Sequence, residues 1–331
     1  MADGKPDRPS VSQPGHLPTT VCSVIDLQPG LDLTTAQAER ILEAWLSGPV
    51  VCSKIVPLRG GLVNSVFRLE FDRPPHRAVI KIHGSEGDSF RSEARSLEYL
   101  ASETACLAPT VYLQDSSARL VPYAFLVMEL VPGVCLESLD LDPNERADID
   151  AQLADVLAGL HDHRSESWGG LDIDDPSVTW PELFAGRLIE VRSHPAVGER
   201  LSSEVLAQID RAIDLARPAL GDCGRPTLIH GDVWDGNLMV RKEDGRWRLN
   251  DLLDPDVQFA DVEFELAYLE VFDHPRPAFF DVYAAHHSLR PGFERRRLFY
   301  WLHIALVHVA LFGDEFFRRY TARIAEDIGA S

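Results

Sequence analysis

The hydrophobic positions of this chain repeat with two periods, and the change between them divides the sequence. From Ala36 to Leu46 apolar residues recur at helical spacing, behind Thr34 or Thr35 as a cap and ahead of Gly48 and Pro49, which predicts a helix. From Val56 to Phe71 the pattern reads strand, glycine turn, strand, with two-residue alternation best kept from Phe67 to Phe71. Ala78 to His83 is a short apolar strand with one lysine, Lys81, inside it. Residues 89–101 return to helical spacing, with Phe90, Ala94, Leu97, Leu100 and Ala101 as the apolar stripe and Glu93 on or beside it. Residues 110–114 and 119–131 predict two more strands, the second running through Phe125-Leu126-Val127-Met128-Glu129-Leu130-Val131 into a Pro-Gly stop.

Beyond that stop the helical period dominates. Asp142-Pro143-Asn144-Glu145 offers an N-cap, a proline at the first helical position and a glutamate at the third. Ile149, Leu153, Val156, Leu157 and Leu160 then mark one helical face, with His161 and His163 after it in what reads as a structural role. Helices are predicted over 180–191, 202–216, 261–272, 277–287, 292–311 and 313–328. Between the second and third of these lies a short β insertion, Leu228 to Val240, followed by a further apolar run and two aspartates, Asp251 and Asp254. The pattern predicts an α+β chain. An N-terminal tail (1–34), disordered over at least its first dozen residues, precedes an antiparallel β lobe with one key helix (35–131). A larger, mainly helical lobe follows (132–331).

Four features of that order carry chemistry. Gly60 and Gly61, followed closely by Asn64, form a two-glycine turn between strands, which can bring backbone N–H groups close to phosphates; a plain hairpin would look the same. No Gly-Lys-Ser/Thr follows a glycine loop, so a Walker A motif is absent. Lys81 in its apolar strand points either to solvent or to an anion, and Glu93 on an apolar helix face needs a partner. Together they suit the lysine–glutamate pair that orients a phosphate-binding lysine in kinases. Asp232 and Asn237, five apart in a polar loop, followed by an Asp at the next strand end, have the spacing of a kinase catalytic loop. There the Asp accepts a hydroxyl proton, and the Asn and second Asp share Mg²⁺ with ATP phosphates. Asp, Gly and Asn are also turn residues, so a polar hairpin uses the same letters. The stretch 128–131 suits a hinge whose backbone meets an adenine, and equally an ordinary strand end. The four occur in the order of a two-lobed kinase with ATP between the lobes.

Composition narrows the partners. The formal net charge is -20, from 52 acidic and 32 basic residues, which argues against nucleic acid and anionic membranes. Such a field favours solubility and would favour an amine-bearing substrate. The five cysteines (Cys22, Cys52, Cys106, Cys135, Cys223) form no CxxC pair, and the N-terminus has no apolar signal region, so a cytoplasmic protein is expected. The apolar stretch 298–312 is too short for a bilayer and predicts a buried helix. Nothing fixes an oligomeric state, and a homodimer is possible.

The loop Leu228-Ile229-His230-Gly231-Asp232-Val233-Trp234-Asp235-Gly236-Asn237-Leu238-Met239-Val240 carries a resemblance to the aminoglycoside phosphotransferase-like small-molecule kinases. Its HGD-x-W-x-GN form resembles, more narrowly, the fructosamine (ketosamine) kinases. Leu253-Asp254-Pro255 with Val262-Glu263-Phe264-Glu265-Leu266-Ala267, the block Trp180 to Ala185, and Phe280-Asp281-Val282-Tyr283 with Pro291-Gly292-Phe293 and Leu311-Phe312-Gly313 resemble other segments of that family. The resemblance covers about residues 50–315. It implies a protein-kinase-like fold, ATP and Mg²⁺ as cofactors, and transfer of phosphate to a sugar hydroxyl of a ketosamine. By it Asp232 is the catalytic Asp, Asn237 and Asp254 are the metal ligands, Lys81 held by Glu93 binds phosphate, and Met128, Glu129, Leu130 and Val131 form the adenine hinge. Trp234 would stack on the sugar or amine. Asp235 stands where the family usually has Ser, and Asp261 follows nearby. Two acidic residues beside the acceptor would favour a more cationic substrate, so an aminoglycoside or aminosugar phosphotransferase is the alternative. A non-catalytic kinase-fold binding protein is a second, against which the joint presence of Lys81, Glu93, Asp232, Asn237 and Asp254 weighs.

Overall fold

The computed structural model describes residues 30–58, 64–84 and 90–330. The N-terminal tail up to residue 29 and the glycines Gly60 and Gly61 lie outside the described residues. The first helix, α1 (Thr35–Leu46), begins at a capping box in which Thr34 and Gln37 satisfy each other's backbone donors. Then come β1 (Cys52–Pro57), β2 (Ser65–Phe71), β3 (Arg77–His83), α2 (Arg91–Glu103), β4 (Val111–Asp115) and β5 (Ala124–Met128). The five strands form one antiparallel sheet in the order β1-β2-β3-β5-β4.

Strand alternation decides what each face of this sheet meets. Ala78, Ile80 and Ile82 of β3 pack with Phe67, Leu69, Phe125 and Val127 against Ile41 and Leu42 of α1. On the opposite face Val79, Leu126 and Met128 pack against Phe90, Ala94 and Leu97 of α2. Because β3 is covered on both faces, a polar side chain within it is buried, and Lys81 shares the parity of Val79, hence the α2 face. The strand expected over 119–131 is shorter, only Ala124–Met128; residues 116–123 form turns in which Asp115 and Ser117 side chains accept backbone N–H groups.

The rest of the chain is mostly helical: β6 (Val134–Cys135), α3 (Pro143–Leu160), β7 (Gly169–Gly170), α4 (Trp180–Arg192), α5 (Pro195–Arg200), α6 (Ser203–Ala219), β8 (Thr227–Ile229), β9 (Leu238–Glu243), β10 (Arg246–Leu252), β11 (Gln258–Ala260), α7 (Val262–Glu270), α8 (Pro277–His286), α9 (Phe293–Leu311) and α10 (Glu315–Ala330). The α3 N-terminus is the Asp142/Glu145 capping box read from the sequence. The short α5 was not anticipated: its proline at the first turn and the His194 ring accepting from the Ala196 N–H start it where no apolar period announces it. Helix α9 is apolar on nearly every side and is the centre of the larger core, packed by α4, α7 and α10. No helix among the described residues is long and apolar enough to cross a membrane. Two small antiparallel sheets, β10-β9-β6 and β7-β11-β8, sit where the helical part meets the five-stranded sheet, and the 230–237 loop runs between β8 and β9.

Candidate active site

The loop between β8 and β9 is built to hold one carboxylate. Gly231 adopts φ +88, and a Cβ there would collide with the Asp256 carbonyl, so no other residue fits. Its N–H donates to Glu265 Oε1 at 2.7 Å. Glu265 Oε2 lies 2.7 Å from His161 Nε2, and His161 Nδ1 lies 2.7 Å from the Tyr283 hydroxyl. This buried chain ties the loop to α7, α3 and α8, and gives His161 the structural role expected of it. Asp256 N–H donates to the His230 carbonyl at 2.9 Å and closes the loop from the other side.

Asp232 follows, with none of its surface exposed. Asn237 Nδ2 donates to the Asp232 carbonyl at 3.0 Å and to Asp232 Oδ2, and the Tyr268 hydroxyl donates to Oδ1 at 2.7 Å. Asn237 thus keeps its amide nitrogen toward Asp232, and its Oδ1 is the atom a hard cation would take. Its carbonyl accepts from Leu253 N–H at 2.8 Å, which fixes Asn237 against the residue before Asp254. Asp254 adopts φ 54 at the turn after β10, whereas Asp251 lies within β10.

Lys81 is 4% exposed and sits between two carboxylates, 2.6 Å from Glu93 Oε1 and in direct contact with Asp254 Oδ1. Burial alone would lower its pKa; the charges of Asp254 and Glu93 outweigh that and hold the ammonium above its ordinary value. The structure therefore brings Lys81, Glu93 and Asp254 together, and Asp232, Asn237 and Asp254 along one run of backbone. Among the described residues no three His, Cys, Asp or Glu side chains converge as a metal cage. That donor set suits Mg²⁺, which is commonly held by one or two protein oxygens while phosphates and water complete its shell.

Met128 ends β5, Glu129 N–H donates to the Thr110 carbonyl at 2.9 Å, and Thr110 Oγ1 donates to Glu129 Oε2 at 2.8 Å. Leu130 and Val131 then cross to the helical part without secondary structure, and Asn250 Nδ2 donates to the Pro132 carbonyl at 3.1 Å beneath them. Asn64 lies half-buried just before β2.

Trp234 lies in the loop, half-buried, its ring so close over Gly236 that a Cβ there would overlap it. Its indole N–H is buried and meets no acceptor among the described residues. The two acidic residues expected beside the acceptor are placed differently from that expectation. Asp235 is held by two arginines: Arg146 grips it with Nη1 and Nη2 at 2.8 and 3.0 Å, and Arg276 pairs with it while also reaching Asp150 at 2.8 Å. Burial would raise the Asp235 pKa, but the charges of Arg276 and Arg146 outweigh it and hold the carboxyl below the usual range. Asp261 has no exposed surface, caps α7 through Glu263 N–H at 3.1 Å, and pairs with Arg290 at 2.7 Å. Neither is a free carboxylate offered to an acceptor, because each faces an arginine supplied from far along the chain.

Sequence reasoning missed Tyr268, Glu265, Arg146, Arg276 and Arg290. For Glu265 a signal existed, since it lies in the apolar run Phe264-Glu265-Leu266-Ala267 and a carboxylate there needs a partner, as Glu93 did.

The chain is similar to known proteins along most of its length. The fructosamine kinase family model matches residues 35–328. A Lactiplantibacillus plantarum protein named "probable ketoamine kinase" is 34% identical over 276 residues, covering 80% of this chain and 90% of its own. One of the same description from Vibrio parahaemolyticus is 26% identical over 270 residues, covering 79% and 88%. A crystal structure described as "putative fructosamine-3-kinase" from Thermobifida fusca superposes with a TM-score of 0.67 at 24% identity, covering 85% of this chain and 95% of that one. The aminoglycoside phosphotransferase APH(4)-Ia shares the fold, with a TM-score of 0.64 at 16% identity over 89% and 98% of the two chains. The kinase-like fold expected from the sequence is thus the fold found, and with most of its length matched by the family model the chain belongs to the fructosamine kinase family.

Proposed function

We propose that this protein is an ATP- and Mg²⁺-dependent kinase that phosphorylates a sugar hydroxyl of a fructosamine or related ketosamine. The observation that carries the reading is Lys81, buried between Glu93 and Asp254, beside a loop that holds Asp232 against Asn237. Asp232 accepts the proton of the acceptor hydroxyl as its oxygen bonds to the γ-phosphorus and the bond to the β-phosphate oxygen breaks. Lys81, aligned by Glu93, holds the phosphates; Asn237 and Asp254 supply the protein oxygens for Mg²⁺, which when bound neutralises phosphate charge. The backbone of Met128, Glu129, Leu130 and Val131 meets the adenine. Asn64 is assigned to the phosphates, together with the Gly60-Gly61 pair that lies outside the described residues. Trp234 faces the sugar or its amine, with its buried N–H as a donor. On this reading residues 35–131 are the nucleotide-binding lobe and 132–331 the catalytic and acceptor-binding lobe. A cytoplasmic location is supported by four described cysteines that are all free.

The alternative acceptor, a polycationic aminoglycoside, loses its motive, because Asp235 and Asp261 are each neutralised by arginine. Asp232→Asn tests the assignment. Turnover with fructosyl-lysine should fall at least about a hundredfold, the typical weight of a positioned general base, while ATP still raises the melting temperature. An Asp232→Asn protein with ordinary turnover sinks the assignment. A panel of fructosyl-lysine, ribosyl-lysine and aminoglycosides, read by ATP consumption, separates the acceptors.

A further inference from the structure

We propose that the Tyr268 hydroxyl occupies the acceptor's place on Asp232 until the sugar arrives, and so restrains transfer of the γ-phosphoryl group to water. The proposal rests on the reading of Asp232 as the proton-accepting carboxylate.

Tyr268 projects from α7, one of the most firmly held elements of the helical part. Asp261 caps its start, Arg290 and Arg296 clamp Glu263 in its first turn, and Trp301 Nε1 donates to the Ala267 carbonyl at 2.7 Å, one residue before Tyr268. From this base the phenol reaches Asp232 Oδ1 at 2.7 Å, while Asn237 covers Oδ2. A phenol and a sugar hydroxyl present the same group, one O–H donor, to a carboxylate oxygen. Asp232 has no exposed surface, so an incoming hydroxyl reaches Oδ1 only if the phenol yields or shares it. Tyr268 is itself only half-buried, unlike Asp232. Burial and the charge of Asp232 both hold the phenol well above its ordinary pKa, so it stays a neutral donor.

Water is the competing acceptor. In hydrolysis its oxygen would bond to the γ-phosphorus, the bond to the bridging oxygen would break, ADP would leave, and the water proton would go to Asp232. This is the balance of the productive reaction with water in place of the sugar. A phenol on Oδ1 denies water that oxygen, whereas a sugar with binding contacts of its own can displace the phenol.

The test is acceptor-free ADP release by the full chain with Mg-ATP, followed by transfer kinetics with fructosyl-lysine. Tyr268→Phe keeps the ring and removes only the hydroxyl. It should raise acceptor-free ATP hydrolysis about tenfold, the weight of one hydrogen bond to a charged group. It should also lower the fructosyl-lysine KM, with kcat changed less. Hydrolysis that is unchanged or reduced overturns the proposal, as does a Tyr268→Phe/Asp232→Asn protein that keeps the raised hydrolysis. A merely structural role would lower kcat and melting temperature together without raising hydrolysis, and that result also overturns it. Should fructosyl-lysine fail as an acceptor for the native protein, the acceptor reading falls while ADP release still judges Tyr268.

Discussion

His303 shows what one side chain can do to the acid limb of stability. It lies on α9, 1% exposed, between the rings of Phe184 and Phe264, and neither ring nitrogen has a hydrogen-bond partner among the described residues. Burial first, and the nearby Arg187 charge second, push its pKa down from 6.5 to about 3. The folded state thus holds the imidazole neutral at a pH where the unfolded chain already binds a proton. Stability is undiminished above about pH 6.5 and is lost as pH falls from there toward 3, by about 2 kcal/mol at pH 5. His303→Leu removes both the titration and two unpaired buried nitrogens. Urea unfolding should find it as stable as the native protein or more so at pH 8, and ahead by a further 2 kcal/mol or so at pH 5. An equal acid-side loss in the two proteins would show that His303 does not titrate in this window.

At the scale of elements, α7 is the hub. Its N-terminus carries Asp261 and Glu263, both buried, and both neutralised by arginines from the start of α9 and the turn before it. Its middle supplies Glu265 to the 230–237 loop and Tyr268 to Asp232. The helix cannot shift without moving the loop. Removing one cation leaves a buried carboxylate unpaired, which costs about 3–5 kcal/mol. Arg290→Met should therefore lower the melting temperature by several degrees, and Arg290→Met with Asp261→Asn should recover part of it. A double variant no more stable than the single one would mean that Arg290 acts through Asp222 or Glu263 rather than Asp261. The sequence named Asp261 but read it as facing the substrate. Proximity in sequence to Asp254 suggested a shared site, whereas its real partner lies 29 residues away and is set by helix packing that no local pattern encodes.

At the scale of the molecule, Lys81 is the joint between the five-stranded sheet and the helical part, since Glu93 lies on one side of it and Asp254, 173 residues on, lies on the other. Part of this was legible in advance. A lysine inside an apolar strand needed solvent or an anion, Glu93 on an apolar helix stripe needed a partner, and a five-residue spacing put Asp232 and Asn237 in one loop. The reach of Lys81 to Asp254 was not. The ring of arginines around Asp235 was not legible, because its members come from 89 and 41 residues away. The Lys81–Asp254 contact also gives the nucleotide a route to stability. A ligand that binds the folded state at a hundred times its Kd stabilises it by about 2.7 kcal/mol, or about 5 °C for a chain of this size. On the proposed function, part of that shift should require Mg²⁺, because Asp254 would then supply an oxygen to the cation as well as to the Lys81 ammonium. In thermal melts with ATP, EDTA should therefore give the smaller shift and Mg²⁺ the larger. Asp254→Asn should reduce the two to the same small value while Asp251→Asn keeps them apart. If Asp254→Asn retains the full Mg²⁺ increment, the cation is held elsewhere, and Asp254 serves only to hold Lys81.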